Sequence, residues 1–107
     1  MEQKYYVGFF NKDELIAVMD LIDGYPTEDC AFIGFFMMNN ACQGKGIGSK
    51  IISDVLTYLK SIGLLKCQLG IDQGNPQSTH FWKKNLFNII REVRQEEGII
   101  LVAERKL

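Results

Sequence analysis

The chain has 107 residues, with 12 Lys and Arg against 13 Asp and Glu and 47% hydrophobic residues. That suits one domain over residues 1–107 with a core of its own, and the near-zero charge balance excludes the basic excess of a general nucleic-acid binder. The longest apolar run, residues 31–38, is far below the roughly 18–20 residues of a membrane span, so no membrane partner is expected. The opening Met1-Glu2-Gln3-Lys4 shows no leader pattern. Cys30, Cys42 and Cys67 have neither disulfide-framework nor metal-ligand spacing. A metal-free protein of a reducing cytoplasm is therefore expected.

In chain order, residues 4–10 (KYYVGFF) are aromatic and β-branched and predict a strand. Asn11-Lys12-Asp13 turns the chain, and residues 14–22 (ELIAVMDLI) predict a second strand, antiparallel because so short a link cannot cross over. Asp23-Gly24-Tyr25-Pro26 breaks the pattern. The third strand, residues 30–38, is apolar enough to predict burial on both faces. From Gly46 to Ser61 the period becomes helical, with Ile47, Ile51, Ile52, Val55, Leu56 and Leu59 on one face and Gly63 placed to end the helix. Residues 64–71 predict a strand. Asn75-Pro76 then reads as an N-cap with proline at the first helical position, opening a helix to about Asn85. Residues 87–94 and 99–104 predict a hairpin around Gln95-Glu96-Glu97-Gly98. The order β-β-β-α-β-α-β-β fits one mixed α/β sheet, antiparallel at its ends, with crossover helices covering the middle.

Chemistry concentrates in Cys42-Gln43-Gly44-Lys45-Gly46-Ile47-Gly48-Ser49, where the third strand passes to the first helix. Alternate glycines permit positive φ and close approach of the backbone, and free N–H groups at a helix N-terminus favour a phosphate or pyrophosphate. Lys45 adds a charge at the rim. A dinucleotide fingerprint would need glycine where Ser49 or Ile51 stands, and a P-loop would need Gly-Lys-Ser/Thr. On their own, the three glycines fit a phosphate cradle and a ligand-free turn equally well.

Gln43-Gly44-Lys45-Gly46-Ile47-Gly48 resembles motif A of the GNAT superfamily of N-acetyltransferases, Gln/Arg-x-x-Gly-x-Gly/Ala, at the same strand-to-helix junction. Residues 74–87 (GNPQSTHFWKKNLF) resemble its second signature, in which an Asn opens a helix and an aromatic pair precedes Gly-Phe. The resemblance covers most of the chain. It implies an acyl-CoA N-acyltransferase fold with acetyl-CoA as cosubstrate. Gln43, Gly44, Lys45, Gly46, Ile47 and Gly48 would bind the pyrophosphate, with Ser49 next in line. Phe36, Met37 and Met38 would offer backbone to the pantetheine arm and acetyl carbonyl, and Asn75 would contact the pantetheine region. The third and fourth strands would splay to admit the cofactor. An N–H near Met38 would stabilise the oxyanion formed when a primary amine attacks the thioester.

This sequence departs from the family pattern in several places. Trp82 stands where the family often has a tyrosine acid; indole N–H does not titrate usefully, and packing is the expected role. Leu86 replaces a glycine, and Asn85 is expected to take the left-handed turn in its place. No catalytic residue is singled out: Asp20, Glu28 and Asp29 are the acids available as a base, but each is expected to be a solvated surface carboxylate, and His80 is expected on the surface. Cys42 lies beside the loop with no base partner in view. Tyr25 is expected to staple its loop. The strand and two helices that usually precede the first hairpin are not matched here. A homodimer, formed through the hydrophobic strands 5–10 and 15–21, is the expected way to cover the exposed sheet. The acceptor class is a small-molecule or peptide amine. The alternative is a non-catalytic CoA-binding or regulatory module, and a third reading is a structural domain without a nucleotide.

Overall fold

A computed structural model describes residues 3–107. Six strands form one sheet in the order β1-β2-β3-β4-β6-β5. They are β1 (Gln3–Asn11), β2 (Glu14–Asp23), β3 (Cys30–Met38), β4 (Lys66–Asp72), β5 (Asn88–Gln95) and β6 (Gly98–Lys106); the helices are α1 (Ile47–Ser61) and α2 (Pro76–Lys84). The expected order of elements is the observed one. A short 3-10 turn, Asn40–Cys42, is additional; it is capped by the Asn39 side chain, which accepts from the Ala41 N–H.

Both helices pack on the same face. Along β2 the period-2 alternation sends Met19 and Leu21 to that face, where they join Ile52, Leu56 and Leu59 of α1, Trp82 of α2, and Leu69 and Ile71 of β4 in one buried cluster. Burying such a side chain contributes roughly 1.5–3 kcal/mol. Ile16, Ala17, Cys42 and Ile51 form a second, smaller cluster under the start of α1.

Both helices end in the same way. After α1, the Gly63 N–H donates to Lys60 O and the Leu64 N–H to Leu59 O, with Gly63 at φ 97°. After α2, the Leu86 N–H donates to Lys83 O and the Phe87 N–H to Trp82 O. Each is a Schellman closure, completed by an apolar contact across it; the Trp82 and Phe87 rings lie 5.2 Å apart. The second closure corrects one expectation. Leu86 itself takes the left-handed conformation, at φ 69°, while Asn85 stays at φ −91°. Asn85 is held by its other bonds: its amide donates to Phe81 O and Ser49 Oγ, and its carbonyl accepts from Arg105.

The third strand corrects another expectation. Cys30, Ala31 and Ile33 are buried, but Gly34, Phe35 and Met37 are exposed. The cause is geometric. β3 pairs with β4 in parallel only from Cys30↔Lys66 to Ile33↔Leu69. A bulge at Gly34 follows, and residues 34–38 continue against β2 alone, while β4 carries on against β6.

Candidate functional site

Beyond Ile33 and Leu69, β3 and β4 diverge. Backbone groups of residues 34–38 that face β4 therefore have no ladder partner there, and a strand edge opens inside the sheet. Phe36 turns to the helix face, stacking on Phe81 and meeting Trp82 edge-on, each at 6.1 Å between ring centroids. Met37 is exposed, and Met38 packs against the smaller cluster.

The chain then runs through the 3-10 turn to the glycine loop. Gln43 is exposed, and its amide donates to Asn40 Oδ1 at 3.1 Å and to Met38 O at 3.5 Å, tying the loop to the end of β3. Gly44 and Gly46 adopt φ 79° and 75°, with open space where a Cβ would stand. These two positions need glycine for backbone conformation. Gly48 needs it for space: a Cβ there would lie 2.7 Å from Met38 Sδ and 3.2 Å from Phe81.

Gly46 is the N-cap of α1 and offers no side-chain acceptor. The first intrahelical bond runs from the Lys50 N–H to Gly46 O, so the N–H groups of Ile47, Gly48 and Ser49 have no partner within the helix. With the helix dipole they make a positive tip beside the strand opening. Lys45 is exposed at its rim. Ser49 Oγ accepts from Asn85 at 3.2 Å, joining α1 to the end of α2, and its hydroxyl proton is left to donate elsewhere. Asn75 caps α2, its side chain accepting from the Ser78 N–H at 3.1 Å. Gln43 to Ser49 and Phe36 to Met38 thus lie at one junction, while Asn75 stands beyond the end of β4.

The remaining candidates separate clearly. Trp82 is buried among Phe36, Phe81 and Phe87. His80 and Glu28 are exposed. Asp29 accepts from the Thr27 hydroxyl, which with Lys66 nearby holds its carboxyl below the ordinary range. Tyr25 packs edge-on against Phe32 at 5.4 Å. Cys42 is buried, its Sγ 4.0 Å from Glu14 Oε1. Burial pushes the Cys30 thiol up to about 11 and the Cys67 thiol to about 12, which suits inert core thiols.

Asp20 is different. It lies on the face opposite the helices, 7% exposed, with Oδ2 3.2 Å from the Lys4 ammonium and Oδ1 without a hydrogen-bond partner among the described residues. A buried acceptor left unpaired costs about 1–3 kcal/mol, more when charged. The sequence carried two signs of it: an acid in the interior of an otherwise apolar run, residues 15–22, and a strand-interior glycine, Gly34, of the kind that marks a bulge or close approach. A groove of about 580 Å³ between β1 and α1, lined by Tyr5, Val55 and Tyr58 among others, is apolar and lies away from the strand opening. No cluster of His, Cys, Asp or Glu able to hold a metal is found among the described residues, and none of their helices is long and apolar enough to cross a membrane.

A sheet whose parallel central pair parts beside an uncapped, glycine-led helix defines a class of acyl-CoA N-acyltransferase-like folds. Residues 1–86 match the Acetyltransferase (GNAT) family, and the chain belongs to it. It is 28% identical over 98 residues to the holothin acyltransferase of Pseudoalteromonas sp. (strain SANK 73390), covering 92% of this chain and 30% of that protein. Among solved structures, it is similar to an acetyltransferase from Thermus thermophilus, with TM-score 0.82, 20% identity, and coverage of 97% of this chain and 64% of that one. It is also similar to the PaiA N-acetyltransferase of Thermoplasma acidophilum in complex with coenzyme A, with TM-score 0.81, 20% identity and coverage of 97% and 61%. The chain thus spans about a third of the curated relative and under two thirds of these two structures.

Proposed function

We propose that this chain uses acetyl-CoA to acetylate a primary amine by direct attack in a ternary complex. The observation that carries this reading is the end of the β3–β4 ladder at Ile33↔Leu69 beside the uncapped start of α1. The pyrophosphate would take the N–H groups of residues 47–49, reached through Gln43, Gly44, Lys45 and Gly46, with the Ser49 hydroxyl adjacent. The pantetheine arm would pair with the free edge of β3 at Phe36, Met37 and Met38, as an added strand pairs with a sheet edge. Asn75 borders the far side of that path. The thioester then sits where a β3 N–H can stabilise its developing oxyanion. A thiolate of ordinary pKa leaves without an obligatory acid, which accommodates Trp82 in the core. No step requires a metal.

Burial of Trp82 also favours a second reading, a CoA-binding or regulatory module without turnover. Release of free thiol from acetyl-CoA in the presence of a panel of primary amines separates the two: amine-dependent release supports the transferase, and binding without release supports the module. Phe10 and Leu15, exposed at the β1–β2 hairpin tip, support a homodimer formed through those strands. Sedimentation at micromolar concentration is expected to show it, and a clean monomer would remove that part of the reading.

A further inference from the structure

The strongest unexplained feature is the Asp20 carboxylate. We propose that it is the seat for the cationic primary amine of the acceptor, and that the Lys4 ammonium is an intramolecular placeholder in that seat. The proposal rests on the acyl-transfer reading above and adds the place where the acceptor binds.

Three observations carry it. First, position: Asp20 is in register with Phe35 of β3, just past the Gly34 bulge and level with the first β3 residues that have lost their β4 partner. Along the strand direction it is offset by one to three residues, at about 3.3 Å each, from Phe36–Met38, with β3 itself between Asp20 and the edge that faces β4. Second, construction: a Cβ on Gly34 would lie 3.1 Å from the Asp20 carboxyl, so the missing side chain makes room for it, and Gly34 is itself exposed. Third, occupancy: a primary ammonium already sits there. Lys4 Nζ lies 3.2 Å from Asp20 Oδ2 and 5.4 Å from the centroid of the Tyr6 ring. Tyr6 is the register partner of Asp20 on β1, so carboxylate and ring share a face. A buried carboxylate beside an aromatic ring is the chemistry that recognises an alkylammonium. Lys4 is half exposed and near the start of β1, so an incoming amine can displace it.

The balance of the step is simple. The acceptor arrives as R–NH3+ and gives one proton to the Asp20 carboxylate. Its nitrogen attacks the thioester carbon, the C–N bond forms and the C–S bond breaks. The second N–H proton leaves with the CoA thiolate, and Asp20 returns its proton to water.

The test follows the carboxyl carbon of Asp20 by NMR in 13C-labelled protein while 1,4-diaminobutane is titrated in. We expect the Asp20 resonance to move saturably in the wild type, with at least threefold tighter binding in Lys4→Ala, where the placeholder is gone. Asp20→Asn should lower kcat/KM for the amine by about 100-fold while leaving CoA affinity within twofold. An Asp20 signal unmoved by the diamine in both wild type and Lys4→Ala overturns the proposal. So does an Asp20→Asn enzyme that binds CoA and retains wild-type kcat/KM. Failure to bind CoA in the wild type would count against the transferase reading instead, and the NMR titration still decides whether the seat takes an amine.

Discussion

A Cβ on Gly48 would stand 2.7 Å from the sulfur of Met38, so the first turn of α1 rests directly on the last residue of β3. That contact sets the distance between the helix tip and the free strand edge. The two parts of the proposed cofactor site are therefore one mechanical unit.

Enlarging Gly48 tests this. Alanine meets a thioether on a flexible chain, which can swing aside, and a Phe81 ring that must yield a few tenths of an ångström. Valine overpacks the junction and is expected to cost about 1–3 kcal/mol. In urea melts the midpoint of Gly48→Val should fall well below that of Gly48→Ala; equal midpoints would show that the junction is loose.

Gly46 makes the opposite demand. Its φ of 75° is unfavourable for a side chain, although nothing crowds the position. Gly46→Val is expected to lose about 1–2 kcal/mol, which a domain of ordinary stability survives. By turning the N–H groups of α1, it should also abolish measurable CoA binding. A folded variant with unchanged CoA affinity would remove the loop from the site.

Leu86 offers a gain. It holds φ 69° with its side chain mostly in water, so little burial is lost on truncation. Leu86→Gly relieves the left-handed strain and completes the favoured closure of α2. The expected effect is a stabilisation of about 0.5–1 kcal/mol, after the larger unfolded-state entropy of glycine is subtracted. A lower Tm than the wild type would contradict it.

Stability should decline at alkaline pH. Burial lifts Cys30 to about 11 and Cys67 to about 12, whereas unfolded thiols ionise near 8.5. Both folded values lie above the unfolded ones, so their contribution is complete below about pH 8.5 and is lost as pH rises toward 11–12. Lys4, raised chiefly by its hydrogen bond to Asp20, acts in the same direction. Urea midpoints should be flat from pH 7 to 8 as far as these groups are concerned and fall from pH 9 upward; a rising midpoint above pH 9 would refute this assignment.

The sequence was most legible where local rules act alone. Asn75-Pro76 opened α2, Gly63 closed α1, and the period of residues 47–59 named the buried face. Local rules did not reveal the divergence of β3 from β4. An all-apolar run looks the same whether both faces are covered or one strand partner departs, and Phe35 and Met37 are exposed for the second reason. Nor did they identify the residue in the left-handed turn, because the network around Asn85 passes that conformation on to Leu86. Asp20 was one of three acids the sequence offered, and what separates it from Glu28 and Asp29 is its contact with Gly34 and Lys4, two residues remote in sequence.

The most direct test of the account is calorimetric titration of the chain with coenzyme A and, in parallel, with pantetheine, which lacks the pyrophosphate. A single saturable site for coenzyme A is expected, with pantetheine at least about tenfold weaker, because charge-assisted hydrogen bonds to a diphosphate are worth about 1.5–3 kcal/mol each. No heat with coenzyme A, or equal affinity for the two compounds, would contradict the claim that the bare tip of α1 holds the cofactor.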